Sequence, residues 1–267
     1  IAISFQSVGS GNGEIAFANV VGSCVVNVLL IIGLASFIRP IKVKHATIKK
    51  ELPILVIITS VFAVLMLDSL FNPYTSDTFS RSDGIILLLL FGLFVVYLIQ
   101  MLFKRSDYSE EEIEKIKYSS WVAIIIIVVS IILIVYSSDL IVESAKEIAT
   151  RLHISEKLIT MFAIVIGTSL PEMVMTIISA KKGEFDIAIG NIIGTNIFNI
   201  SIVLGLPVII YGNVLLTGFG IVDIIAVFLS SALLFLFARS EKTIDKKEAI
   251  VMETTEKVYK DYCKVYQ

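Results

Sequence analysis

Seven stretches of this chain are apolar for long enough to cross a lipid bilayer, near residues 14–38, 52–70, 84–103, 119–142, 157–180, 187–211 and 215–238. A hydrocarbon core about 30 Å thick takes roughly 20 apolar residues of helix to span. No water is present there to satisfy a backbone amide, so each run must close its hydrogen bonds within itself. The chain therefore reads as an all-α, polytopic membrane protein, with residues 1–9 as the stub of an earlier helix. Of its 267 residues 56% are hydrophobic and 17% charged, against about 45–50% and 25% in soluble domains. The charges are gathered between the apolar runs and sum to −2, which offers nucleic acid no basic surface. Membrane lipid is the expected surrounding, and nothing in the pattern requires an oligomer. Cys24 lies in an apolar run and Cys263 far from it, so no structural disulfide is expected.

The joints between the runs orient them. Fifteen Lys and Arg residues fall on one side, including Arg39, Lys44, Lys104, Lys181 and Arg239, and only four on the other: Arg81, Lys146, Arg151 and Lys157. By the positive-inside rule the first side is cytoplasmic.

One run repeats. Residues 14–34, EIAFANVVGSCVVNVLLIIGL, align without a gap to residues 186–206, DIAIGNIIGTNIFNISIVLGL, at a constant offset of 172. Asn19 pairs with Asn191, Ser23 with Thr195 and Asn27 with Asn199; upstream, Ser4 pairs with Thr176 and Ser7 with Ser179. Glycine spacing alone could reflect helix packing, but amide, hydroxyl and amide recurring in register could not. The second copy is the fifth span after the first, an odd step, so the copies cross the membrane in opposite senses. Inverted repeats of this kind place a transport site near the midplane, where they meet. At the same offset Glu172 pairs with the position before Ile1, and the chain is accordingly expected to be truncated within its first copy.

The second copy is preceded by GTSLPE, residues 167–172. Thr168, Ser169 and Glu172 share one helix face, being three and four residues apart. Thr195 with Asn199, and Ser23 with Asn27, repeat the four-residue spacing. Pro171 has no N–H to offer the Gly167 carbonyl, so a broken helix with a freed carbonyl is expected here. Carboxylate, hydroxyl, amide and carbonyl are hard oxygen donors, suited to Ca²⁺, Na⁺ or Mg²⁺ and not to zinc or copper. An acid inside the bilayer costs about 2.5–3.5 kcal/mol on insertion scales, so Glu172 reads as a site residue. Asp68, Asp83, Asp139 and Glu143 read as helix ends, His45 and His153 as solvated loop residues, and residues 110–115, EEEIEK, as a solvated joint. No Ser–His or paired-Asp constellation lies at membrane depth, and an enzyme is not expected.

GTSLPE followed by GNIIGTNIFN (residues 190–199), with the weaker copy ANVVGSCVVN (residues 18–27), resembles the α-repeat signature of the cation/Ca²⁺ exchanger superfamily, whose best-known branch is the sodium/calcium exchangers. The resemblance implies a ten-helix antiporter of two inverted halves with central ion sites, needing no cofactor beyond the transported Ca²⁺, Na⁺ or H⁺. It implies Glu172 as principal ligand, hydroxyl oxygens from Thr168, Ser169, Thr195 and Ser23, amide oxygens from Asn27 and Asn199, and a backbone carbonyl from Val165. The implied division is a first half at 1–103 with its repeat at 1–38, a cytoplasmic loop at 104–117, a second half at 118–238 with its repeat at 157–211, and a polar segment at 239–267. Some members place Asp where this chain has Asn199, so Na⁺ is the first expectation as coupling ion with H⁺ open beside it; another divalent cation such as Mg²⁺ is the alternative substrate, and the missing partner of Glu172 makes a non-transporting fragment a further alternative. The family's last helix is apolar. Here the last stretch is polar, with an apolar stripe expected from Val258, Tyr259, Tyr262 and Tyr266, and it reads as an amphipathic helix.

Overall fold

A computed structural model of the chain describes residues 1–71, 74, 76–105, 119, 121–130, 132, 133, 136, 147, 151, 156–216 and 221–266. Helix α1 (Ala2–Gly9) turns sharply into α2 (Gly13–Val25), which runs on through a π-helical segment (Val26–Ile32) and α3 (Gly33–Ile38). The rod ends because Arg39 precedes Pro40 and is held extended (φ −149°). Strand β1 (Ile41–Lys42) and a π-helical turn (Thr47–Glu51) lead into α4 (Leu52–Leu65). Next come α5 (Asp68–Phe71), β2 (Thr78–Phe79), α6 (Arg81–Arg105) and α7 (Trp121–Ser130). The second part holds α8 (Glu156–Lys182), α9 (Phe185–Phe198), a second π-helical segment (Asn199–Leu204) and α10 (Gly205–Tyr211). It closes with β3 (Val214–Leu215), α11 (Ile221–Glu241), β4 (Thr243–Ile244) and α12 (Lys246–Tyr266).

Four continuous helical stretches among the described residues are long and apolar enough to cross a membrane: Gly13–Ile38, Arg81–Phe103, Phe185–Tyr211 and Ile221–Glu241. Two expected spans differ at their ends. The one at 52–70 stops at Leu65, because Ser69 turns its N–H and hydroxyl onto Asp77 (2.7 and 2.9 Å) and makes a corner. The one at 215–238 loses its start to β3, whose residues pair with β2. The expected span at 119–142 is seen as α7 and at residues 119, 132, 133 and 136, and its other residues, with Asp139, Glu143, His153 and residues 106–118, lie outside the described residues.

The two halves recur element by element. The left-handed corner glycine Gly11 (φ +80°) returns 172 positions later as Gly183 (φ +86°), and both copies of the long rod pass through a π-helical segment. Two contacts join a residue to its own counterpart at this separation: Thr59 Oγ1 with Ser231 Oγ at 3.2 Å, and Asn196 Nδ2 with the Cys24 carbonyl at 3.2 Å. A residue can touch its own symmetry mate only beside the axis relating them, so a pseudo-two-fold axis runs past both pairs. Thr59 donates its proton to the Leu55 carbonyl at 2.7 Å, which makes Ser231 the donor between them. The halves also exchange partners. β1 pairs with β4 and β2 with β3; α6 packs on α10 and the second π-helical segment, α12 on α3 and the first.

Helices α6 and α12 begin alike. The N–H of Ser80 donates to Asp83 Oδ2 (2.7 Å) and that of Asp83 to Ser80 Oγ (3.4 Å); the N–H of Asp245 donates to Glu248 Oε2 (2.9 Å) and that of Glu248 to Asp245 Oδ1 (3.2 Å). Both are reciprocal capping boxes. Thus α12, though polar, holds the place in the second half that bilayer-crossing α6 holds in the first. Its buried stripe is Ala249, Met252, Glu256 and Cys263, while Val258, expected in the stripe, is 65% exposed. Steps of three, four and seven residues from Ala249 keep one face and pass Val258 by. The Tyr259 hydroxyl donates to Asp223 Oδ1 of α11 at 2.9 Å, and Lys260 pairs with buried Glu256. Tyr97 of α6 donates likewise to Glu51 Oε1 at 3.3 Å, just ahead of α4. Both cysteines are buried and free.

The two glycine corners give a graded expectation. A Cβ on left-handed backbone costs roughly 1–2 kcal/mol, so Gly11→Ala and Gly183→Ala both lower the melting temperature. Gly183→Ala lowers it further, because its Cβ would lie 3.3 Å from Arg39 Nη1 whereas that of Gly11 meets nothing within 4 Å. Equal melting temperatures for the two variants would show that Arg39 does not brace the α8–α9 corner.

Candidate functional site

A cavity of about 800 Å³ opens where α2 and the first π-helical segment meet α8, α9 and the second. Helix α8 brings Thr168, Ser169 and Glu172 to it, the first rod brings Asn19, Ser23 and Asn27, and the second rod brings Asn191, Thr195 and Asn199. Helical spacing explains the convergence: on each rod the polar residues stand four apart and share a face.

The backbone irregularity lies elsewhere than expected. α8 is one helix from Glu156 to Lys182 with Pro171 inside it, and Gly167 is not without a partner. A proline removes a single main-chain donor, and the bonds on either side keep the helix continuous. The departure from α-helical bonding falls instead on the two long rods, in the π-helical segments that contain Asn27 and begin at Asn199. Widened turns of this type are frequent at functional sites.

Hydrogen bonds tie the two copies together around the cavity. Ser23 Oγ lies 3.4 Å from Thr168 Oγ1. The Thr168 hydroxyl has two acceptors in reach, Asn19 Oδ1 at 3.1 Å and the Val165 carbonyl at 3.2 Å. Asn191 Nδ2 donates to Thr176 Oγ1 at 3.2 Å and to the Glu172 carbonyl at 3.4 Å. Asn27 Nδ2 donates to Asn196 Oδ1 at 3.0 Å. Of the side-chain oxygens buried without a hydrogen-bond partner among the described residues, three are Ser169 Oγ, Glu172 Oε2 and Asn27 Oδ1. Unmade bonds at such depth are costly, and all three belong to side chains that line the cavity. The chemistry on offer is hard oxygen with one carboxylate, which fits an alkali or alkaline-earth cation. Among the described residues no three His, Cys, Asp or Glu side chains gather as a metal cluster.

Seven of the eight residues singled out in the sequence line this cavity: Ser23, Asn27, Thr168, Ser169, Glu172, Thr195 and Asn199. Val165 does not. Its carbonyl is an acceptor for Thr168, and its side chain fills the groove at Gly22, where a Cβ would lie 2.8 Å from Val165 Cγ2. Asn19 and Asn191 belong to the lining and were passed over, although their recurrence in register was the available signal. Asn196, behind the lining, carried a signal of polarity alone.

The family model described as sodium/calcium exchanger protein matches residues 1–100 and 122–254. The inner membrane protein YrbG of Escherichia coli is 34% identical over 209 residues, which cover 74% of this chain and 60% of YrbG. CaxA of Alkalimonas amylolytica is 34% identical over 223 residues, 80% of this chain and 66% of CaxA. The chain thus spans less than two thirds of these relatives. Among solved structures, the sodium-calcium exchanger NCX_Mj soaked with 10 mM Na⁺ and zero Ca²⁺ superposes with a TM-score of 0.78 at 28% identity, over 97% of this chain and 80% of that one.

Proposed function

This chain belongs to the sodium/calcium exchanger protein family, as a multi-pass membrane protein, and from that premise we propose that it carries Ca²⁺ in exchange for Na⁺ through the cavity between its repeats. The supporting observation is the meeting of Glu172 with hydroxyl and amide oxygens from both inverted motifs in one cavity. Glu172 supplies the charge that makes dehydration of a cation tolerable, while Ser23, Thr168, Ser169, Thr195, Asn27 and Asn199 supply neutral oxygens in place of water. Ca²⁺ and Na⁺ draw on the same donors, so the cavity holds one or the other, and such competition is what couples their opposite movements. Because the halves are related by a pseudo-two-fold axis, what opens the cavity to one side has a counterpart that opens it to the other. Like YrbG, the protein would work in the plasma membrane, and it needs no resident cofactor and no second copy.

Radiolabelled Ca²⁺ uptake by the full-length protein in liposomes tests this, with a Na⁺ gradient and a pH gradient imposed separately. Uptake driven by Na⁺ is expected. Uptake driven by the pH gradient alone would replace Na⁺ by H⁺ as the coupling ion, and uptake under neither would remove Ca²⁺ as the substrate.

A further inference from the structure

We infer that Asn196, which does not line the cavity, sets which end of the Asn27 amide faces the cation. This rests on the exchange function proposed above and adds a positioning residue to it. The Cys24 carbonyl can only accept. It lies 3.2 Å from the Asn196 amide, so the end of Asn196 facing it is Nδ2. The other end of Asn196 is then the oxygen, and at 3.0 Å it receives Asn27, which must turn its own Nδ2 inward. Asn27 Oδ1 is left on the opposite side, in a residue that lines the cavity, with no hydrogen-bond partner among the described residues. One main-chain carbonyl thereby fixes two amide orientations in sequence, since amide oxygen accepts and amide nitrogen donates. Asn27 is 0% and Asn196 1% exposed, so no water competes for either bond.

The consequence is electrostatic. A correctly turned Asn27 offers a cation the negative end of its dipole; a reversed one offers two N–H groups and repels it. Asn196 thus decides the sign of the contribution made by a ligand that it does not accompany into the cavity. The device is one-sided. The counterpart of Asn196 in the first copy is Cys24, whose thiol cannot hold Asn199 as a carboxamide holds Asn27. Asn27 is a fixed donor of oxygen and Asn199 an unfixed one, although the two occupy the same place in their repeats.

The test is a double substitution cycle on the full-length protein in detergent, with Na⁺ and Ca²⁺ affinities measured by isothermal titration and folding by thermal melting. Asn196→Cys places at this position the side chain that the other repeat already buries there, and Asn196→Ser is measured alongside. Each is expected to weaken cation binding about tenfold or more. Asn27→Ala removes the amide whose orientation is at issue, and in that background the Asn196 substitutions are expected to change affinity less than about twofold. Unchanged affinity in the single variants, or an equal loss in both backgrounds, would overturn the inference and leave the exchange function standing. No binding of either cation by the wild-type protein would overturn the exchange function, and the inference with it.

Discussion

Glu172→Gln is expected to abolish the proposed cation exchange and to leave the helical bundle intact. Glu172 is the one carboxylate among the described residues lining the cavity, and its Oε2 is buried without a hydrogen-bond partner. Two effects of the substitution oppose each other in stability and reinforce each other in function. Holding an acid at membrane depth costs about 2.5–3.5 kcal/mol on insertion scales, so the isosteric amide relieves the fold of an expense and the melting temperature holds or rises. The bound cation loses its only full negative charge and gains an N–H₂ beside it. A charged hydrogen-bonding partner is worth roughly 1.5–3 kcal/mol, and loss of nearly 3 kcal/mol corresponds to about a hundredfold in affinity. Flux in liposomes and thermal melting, measured on the same preparation, check both halves of the statement. Wild-type flux from Glu172→Gln would remove Glu172 from the site.

Gly84→Leu is expected to disrupt the bundle more than the same substitution at Gly13, Gly22 or Gly92. A Cβ at Gly84 would stand 2.9 Å from the Gly205 carbonyl oxygen and 3.0 Å from Ile209 Cγ1, and one at Gly205 would stand 3.1 Å from the Gly84 carbonyl oxygen. The two helices, α6 and α10, cross backbone to backbone, as small residues permit in membrane bundles. The Gly13 position is nominally tighter, 2.5 Å from Val214 Cγ1, but a valine methyl can turn aside where a main-chain oxygen cannot. Overpacking a close interface costs about 1–3 kcal/mol or more. With α6 also resting on the π-helical segment that begins at Asn199, Gly84→Leu should lower the melting temperature by about 10 °C and loosen the cavity with it. Gly92→Leu is the control on the same helix, since nothing lies within 4 Å of its Cβ position. A wild-type melt for Gly84→Leu would mean that the crossing is not load-sharing.

Membrane depth makes parts of such a chain easy to read and hides others. The bilayer penalises every polar side chain that lacks a purpose, so Ser23, Asn27, Thr168, Ser169, Glu172, Thr195 and Asn199 stand out against their apolar setting, and all seven line one cavity. Run length alone located the rods at Gly13–Ile38 and Phe185–Tyr211 to within two residues of their observed ends. A shift from i+4 to i+5 hydrogen bonding carries no residue signature, and the π-helical segments were accordingly not foreseen. Pro171 was misread for a related reason: proline reports a missing donor, but whether the helix yields is settled by what packs around it. Asn196 and Asn199 are three residues apart and equally polar; only the packing against the first rod separates the one that bonds Asn27 from the one that lines the cavity. The C-terminal residues were legible as an amphipathic helix, yet its place opposite α6 follows from partner exchange between halves, which no local pattern encodes.

The contact of Thr59 with Ser231 bears on origins. The two hydroxyls occupy one position of the repeat and hydrogen-bond across the axis. A half-length ancestor inserted into the membrane in both orientations would have met its own upside-down copy at this very residue. Any hydroxyl side chain could both give and receive that bond, so a single sequence would suffice to build the seam. In this chain the two positions carry Thr and Ser and keep the bond, whereas at Cys24 and Asn196 the side chains differ and a main-chain carbonyl meets a carboxamide.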